Sequence, residues 1–379
     1  MTTDRLHVAG RSRLAIVAAS IYSLEATYGH LVQSALKRGN AVLCLAPGLP
    51  IGIAASGPLA GASTFNLVDG AGGREVQTFR LGSKQLDAAF GDWHPDTVLA
   101  CDLAVLPAVV RAARRIRVTN ISCAVLANAA EPGMPRRPIP WLQRRRISSA
   151  LRQAHAIVLT DSDQQHSLAR EGIAVPRDRV HEIAGPGIDL DDYQEVVLPE
   201  ISDGVRVLVV AESVVTGHRA ALAEAAALLR ERHPGVRVVL AVPSPPGEHT
   251  GESKAVDDPA PLVEIALTTD ELPDEVRRAH VVIELGAATI YPRSALLALA
   301  IGRPLIVRSV PGLGNLVDER VNGIQLTDAT PATIVAGIEN LLHRPDLFPS
   351  MARASRAKAL RSYQAKRFTS SILKLLDLR

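Results

Sequence analysis

Along this chain short apolar runs alternate with stretches of helical spacing. Arg13–Ala19 is such a run and enters a Ser/Tyr loop, Leu31–Arg38 is spaced as a helix, and Ala41–Ala46 follows Gly39-Asn40 as a second run. The pattern predicts strand, helix, strand. It continues with a strand over Asp96–Ala100, a helix over Leu106–Arg115, strands over Val118–Ala127 and His155–Thr160, a helix capped at Ser162-Asp163, and a short strand over Val180–Ala184. After the polar break Pro199–Gly204 it restarts at Val205–Ala211, with a helix over Arg219–Arg230, a strand over Val236–Val242, a Pro/Gly-rich loop over Pro243–Pro259 and a strand over Val281–Ile283. Glu284–Val307 then reads as loop, helix, tight turn and strand, and helices over Ala332–Leu342, Leu347–Tyr363 and Phe368–Leu376 complete the chain. Such alternation predicts an α/β protein with parallel sheets covered on both faces. Its restart places a domain boundary at residue 199, giving Rossmann-like domains over 1–199 and 200–360. In doubly wound folds ligands sit beyond the carboxyl ends of the strands, so a cleft between two such domains is the expected place for an active site.

Composition narrows the partners. At 379 residues two cores are the natural expectation. An aromatic content of 3% leaves little for base stacking and argues against nucleic acid, and the net charge of +3 matters only where basic residues cluster. Cys44, Cys101 and Cys123 are widely spaced and odd in number, and read as buried small hydrophobes in a reducing compartment. The start Met1–His7 has no apolar signal core and no run is long enough to span a bilayer, so the expected location is cytoplasmic, soluble or peripheral.

The run Pro292-Arg-Ser-Ala-Leu-Leu-Ala-Leu-Ala-Ile-Gly-Arg-Pro304, with Pro311–Val317 and Asn322-Gly323, resembles the nucleotide-sugar half of family-four glycosyltransferases. Ile16–Pro47, Trp93–Val98, Thr160–Gln165 and Gly185–Leu190 resemble the same family in the expected order, over nearly the whole chain. The resemblance implies the GT-B architecture, two Rossmann-like domains facing across a cleft, with a C-terminal helix over 361–379 that packs back on the first domain. It also implies transfer of a sugar from a nucleotide-sugar donor to a lipid-linked or saccharide acceptor in envelope or exopolysaccharide synthesis, without a metal or other cofactor.

The family's donor site holds the diphosphate with an Arg and a Lys after the first strand of the second domain. Glu212 and Gly217 stand at those positions here. Its two signature glutamates, on the sugar and the ribose, are replaced by Thr289 and Leu297. One charge pair at about 4 Å and an effective dielectric of about 20 is worth roughly 4 kcal/mol, so the usual binding mode cannot survive unaltered. His218, Arg219 and Arg293 are the nearest cations able to take over, although Arg219 can equally be a solvated helix-start residue and Arg293 a structural one. Glu284 is either a displaced sugar-binding acid or a rim residue. In the first domain Glu25, His30, Asp102 and Asn128 fall on loops or helix starts, with His30 and Asp102 the catalytic candidates; His30 can equally be an ordinary packing residue.

Met134–Ile147 carries Arg136, Arg137, Arg144, Arg145 and Arg146 beside Trp141. It reads either as an anchor for an anionic membrane surface or as a solvated helix face or subunit contact. Two functions remain open: a glycosyltransferase with a rewired donor pocket, or a catalytically silent relative serving as a partner or regulatory subunit of another glycosyltransferase.

Overall fold

The computed structural model describes residues 12–19, 21–49, 51–67, 83–125, 139–160, 162–201, 204–210, 216–243, 261–268, 270–286, 292–310 and 313–378. These residues fall into two compact units, one formed by the described parts of 1–126, 137–186 and 366–379, the other by those of 187–365.

In the first unit the order is β1 (Arg13–Val17), α1 (Ile21–Lys37), β2 (Ala41–Ala46), β3 (Gly52–Ile53), β4 (Ser63–Asn66), α2 (Ser83–Trp93), β5 (Thr97–Ala100), α3 (Leu106–Arg115), β6 (Asn120–Val125), α4 (Trp141–Leu151), β7 (Ala156–Leu159), α5 (Ser162–Arg170) and β8 (Val180–Glu182). The strands form one sheet in the order β3-β4-β2-β1-β5-β6-β7-β8, parallel except for β3 against β4. Runs such as Ala41–Ala46 are apolar throughout because both faces of a parallel sheet are covered.

The second unit comprises β9 (Val205–Val210), α6 (Thr216–Arg232), β10 (Val236–Pro243), β11 (Leu262–Leu267), α7 (Leu272–Arg278), β12 (Val281–Glu284), α8 (Arg293–Ile301), β13 (Leu305–Arg308), β14 (Gly323–Leu326), α9 (Pro331–Leu342) and α10 (Phe348–Ser362). Its sheet is parallel throughout, in the order β11-β10-β9-β12-β13-β14. Helix α11 (Ala365–Leu375) belongs from residue 366 onward to the first unit, where the ring of Phe368 meets Tyr28 at 6.4 Å between centroids and Asn120 donates to the Leu376 carbonyl at 3.1 Å.

Helix α8 shows how the sequence builds the second unit. Every residue from Ser294 to Ile301 is buried. Gly302 then adopts a left-handed φ of 84°, which only glycine reaches without strain, and the Arg303 N–H returns to the Ala298 carbonyl at 2.7 Å. Pro304 cannot prolong the helix, and the chain enters β13. At Gly323 of β14 the requirement is closeness, since a Cβ there would run into the Leu305 carbonyl.

The break between the units falls at Pro186/Gly187, ahead of the composition shift at Pro199. Several contacts bind the intervening segment to the second unit. Ile188 bridges to Gln364, and the fully buried guanidinium of Arg303 donates to the carbonyls of Val196 at 2.8 Å, Val197 at 3.2 Å and Arg277 at 2.8 Å. Burial lowers the Arg303 pKa to about 10. With no carboxylate on it among the described residues, this cation acts as a four-way backbone tie, its fourth bond reaching the Gly302 carbonyl at 3.2 Å. Composition alone does not register such a tie.

Candidate functional site

Each sheet has a topological switch point, between β1 and β5 in the first unit and between β9 and β12 in the second, where successive connections leave in opposite directions and the loops part.

At the first switch point Asp102 follows β5. Its Oδ2 accepts from the Ala19 N–H at 3.1 Å, and its Oδ1 accepts from the N–H groups of Ala104 at 2.8 Å and Val105 at 3.0 Å. The carboxylate thereby ties the loop after β1 to the turn that opens α3. Burial pushes its pKa above the ordinary carboxylate value, and the three backbone donors offset that rise only in part. His30 differs from expectation: α1 begins at Ile21, so His30 lies well inside the helix, on its exposed side. At about 1.5 Å per residue it is carried more than two turns from the sheet's carboxyl edge. Glu25 is half-buried in the same helix, and Asn128 lies outside the described residues.

At the second switch point His218 and Arg219 occupy the first turn of α6, and Gly217 is the residue before them. Arg219 is engaged: its Nη2 meets both carboxylate oxygens of Glu264 on β11 at 2.5 Å, an exposed pair that fits the solvated helix-start alternative. His218 turns toward a residue that sequence reasoning missed. Its Nε2 lies 3.2 Å from Nη1 of Arg308, the last residue of β13. Burial first and the neighbouring guanidinium second lower the His218 pKa, and burial lowers that of Arg308. Both causes favour the neutral imidazole, and in the tautomer that accepts from Arg308 through Nε2 the proton sits on Nδ1. A charged residue closing the apolar run Leu305-Ile-Val307 was the only signal in the sequence.

Glu284 is neither exposed nor on a rim. It is 0% exposed, and Ser294 at the start of α8 donates to its Oε1. Leu297 is likewise 0% exposed inside α8, and Arg293 is exposed at that helix's first residue with Nη2 3.5 Å from the Tyr193 hydroxyl. Glu212 and Thr289 lie outside the described residues.

On α4 the basic segment divides. Trp141 and Leu142 are exposed by 60% and 54%, and the Arg145 guanidinium stacks 5.6 Å above the Trp141 ring. Arg146 is exposed as well, whereas Arg144 folds back to donate from Nε to the Ile139 carbonyl at 2.6 Å. Arg136 and Arg137 lie outside the described residues. All three cysteines are buried and unpaired, with Cys44 pushed up to about 12 by burial. Among the described residues no group of three or more His, Cys, Asp or Glu side chains is placed to hold a metal ion, and no helix is long and apolar enough to cross a membrane.

Two units, each with a doubly wound, largely parallel sheet, define the GT-B fold. Solved structures share it over almost their full length. A glycosyltransferase from Rickettsia africae aligns with a TM-score of 0.70 at 11% identity, covering 97% of this chain and 98% of that one. A sucrose-phosphate synthase from Thermosynechococcus elongatus gives 0.72 at 15% identity over 97% and 98%, and HepE of Anabaena in complex with UDP and glucose gives 0.68 at 13% over 97% and 99%. Identities this low speak for the fold alone. Within the second unit residues 204–344, from the start of β9 through α9, match the family model of glycosyl transferases group 1, which agrees with the resemblance carried by the Pro292–Pro304 motif. No curated protein matches the chain by sequence.

Proposed function

We propose that the protein transfers a sugar from a nucleotide-diphosphate sugar, held by the second unit, to a lipid-linked or saccharide acceptor in envelope or exopolysaccharide synthesis. The observation that carries this reading is the group 1 match over residues 204–344, which includes the second switch point and the helices that start beside it. In retaining transfer the bond from the anomeric carbon to the leaving phosphate breaks, the acceptor oxygen bonds to that carbon, and the leaving phosphate takes the acceptor's proton. No strong protein base is needed, which accords with Asp102 being fully engaged by backbone donors. The reading requires no metal, because cations and helix N–H groups stabilise the departing diphosphate. Trp141, Leu142, Arg145 and Arg146 would rest the first unit on an anionic membrane where a lipid-linked acceptor resides.

The second reading, a silent relative that partners another glycosyltransferase, is favoured by one observation: the ribose-binding position is Leu297, closed inside the core. Calorimetry with UDP-, GDP- and dTDP-sugars at millimolar concentration separates the two. Binding of at least one donor, with release of its nucleoside diphosphate when acceptor is added, is the expected result. A folded protein that binds none of them would eliminate the transferase and leave the silent partner.

A further inference from the structure

The pairing of Arg308 with His218, both half-buried, is unusual. Two basic side chains are in contact, and no carboxylate among the described residues joins them. Arg308 Nε and His218 Nδ1 are both buried and have no hydrogen-bond partner among the described residues. Buried donors are almost always satisfied, and those that are not call for an explanation such as an absent ion. The nearby acid does not supply one. Glu284 pairs with Val307 across the β12–β13 ladder, so Arg308, the next residue along, projects from the opposite face of the sheet. Glu284 turns to Ser294 of α8, while Arg308 shares the face on which Ile306 packs with α6 and α9. His218 lies in the first turn of α6, where the helix dipole adds further positive potential. The pair therefore gathers unneutralised donors beside the β9/β12 switch point, and Arg219, one residue on, is already neutralised by Glu264.

We propose that Arg308 and His218 form the group that binds the diphosphate of the nucleotide sugar, taking over from the two cations lost at Glu212 and Gly217. This rests on the donor-binding reading above but is separable from it. An oxyanion accepting from Arg308 and from His218 Nδ1–H supplies the partners that the described residues do not. The site selects a diphosphate by charge and leaves the base and the sugar to other residues.

The test is calorimetric titration of the wild-type protein, Arg308→Ala, Arg308→Lys and His218→Ala with inorganic pyrophosphate and with UDP, GDP and dTDP. Circular dichroism checks each fold, and Arg344→Ala, which removes a charge from an exposed pair with Asp346, serves as the control. Charge-assisted hydrogen bonds of about 1.5–3 kcal/mol correspond to about tenfold to hundredfold. That is the weakening expected for Arg308→Ala with both pyrophosphate and nucleotide, with partial recovery in Arg308→Lys and no change in the control. Nucleotide binding that is unaltered in Arg308→Ala and His218→Ala overturns the site while leaving the donor reading intact. Pyrophosphate binding that depends on Arg308, with no nucleotide bound, upholds the site and sinks the donor reading. If neither ligand binds the wild-type protein, both fall.

Discussion

The two switch points share a topology and differ in how their charges are met. Beyond β5 of the first unit a carboxylate has every contact supplied by the chain: Asp102 takes N–H groups from Ala19, Ala104 and Val105 and holds two loops together. At the end of β13 and the start of α6 in the second unit a guanidinium and an imidazole touch each other and leave buried donors without a partner among the described residues. A group that the fold completes is architectural, and removing it should cost stability. A group that the fold leaves incomplete lends the fold little, and it is the one to examine for ligand.

The largest effect is expected at the completed site. Asp102→Ala strands three backbone donors and should lower unfolding free energy by about 3 kcal/mol, read from urea denaturation. Asp102→Asn retains an acceptor for Ala104 and Val105, loses only the link to Ala19, and sheds a charge that burial disfavours, so about 1 kcal/mol is expected. At the incomplete site Arg308→Met should leave stability about unchanged, because a half-buried cation with no carboxylate partner among the described residues is replaced by an apolar chain of similar reach. A loss at Arg308 as large as that at Asp102 would erase the distinction between the two edges.

A smaller effect distinguishes the units by pH. Burial holds the pKa values of His218 and of His280 below the usual 6.5, with Arg308 beside the first and Arg303 beside the second. His280 accepts from the Arg206 N–H through Nδ1 at 3.0 Å, which requires its neutral form. The stability these two lend is present above about pH 6.5 and is lost as pH falls through their folded values. The urea midpoint should therefore decline between pH 7 and pH 5, above the range in which Asp328, Glu339 and Asp346, whose pKa values are lowered, begin to protonate. Replacing His218 and His280 together by Asn should flatten that decline. The smallest effect concerns the surface of the first unit. If α4 rests on anionic vesicles, Arg145→Ser with Arg146→Ser should weaken sedimentation with them by about tenfold or more, at about 1 kcal/mol per arginine. Unchanged binding would return the helix to an ordinary solvated face.

Most of the architecture was legible from periodicity, since strands buried on both faces read as continuous apolar runs. Ala41–Ala46 and Leu106–Arg115 appear as predicted, and Val205–Val210 is a strand as expected, with Ala211 outside the described residues. What the pattern concealed has physical causes. Helix α1 starts at Ile21, ten positions ahead of the spaced segment, because its first turns mix Ser, Glu, Thr and Gly with the apolar residues. Strand β4, Ser-Thr-Phe-Asn, next to the two-residue edge strand β3, and the edge strand β11, Leu-Val-Glu-Ile-Ala-Leu, carry polar residues suited to a sheet margin and resemble loops. Helix α7 is too short for a period to show, and its charged residues form surface pairs such as Arg277 with Asp274.

The site was less legible than the fold. The motif at Pro292–Pro304 located the donor half, and the substitutions at Thr289 and Leu297 marked what it lacks, but a compensating residue need not occupy the position of the one it replaces. Arg308 comes from a different strand than the cations it is proposed to succeed, and only the β9-β12-β13 order brings it beside α6. Glu284 shows the converse, since an acid at a strand end reads as a ligand until its burial against Ser294 is seen.

The most direct test of the difference between the two edges is a crystal structure of the protein with UDP or the tightest-binding nucleoside diphosphate. A phosphate oxygen within about 3 Å of Arg308 or of His218 Nδ1, with Asp102 still held by its three backbone donors, is the predicted result. A diphosphate seated elsewhere, with Arg308 still touching only His218, would contradict it.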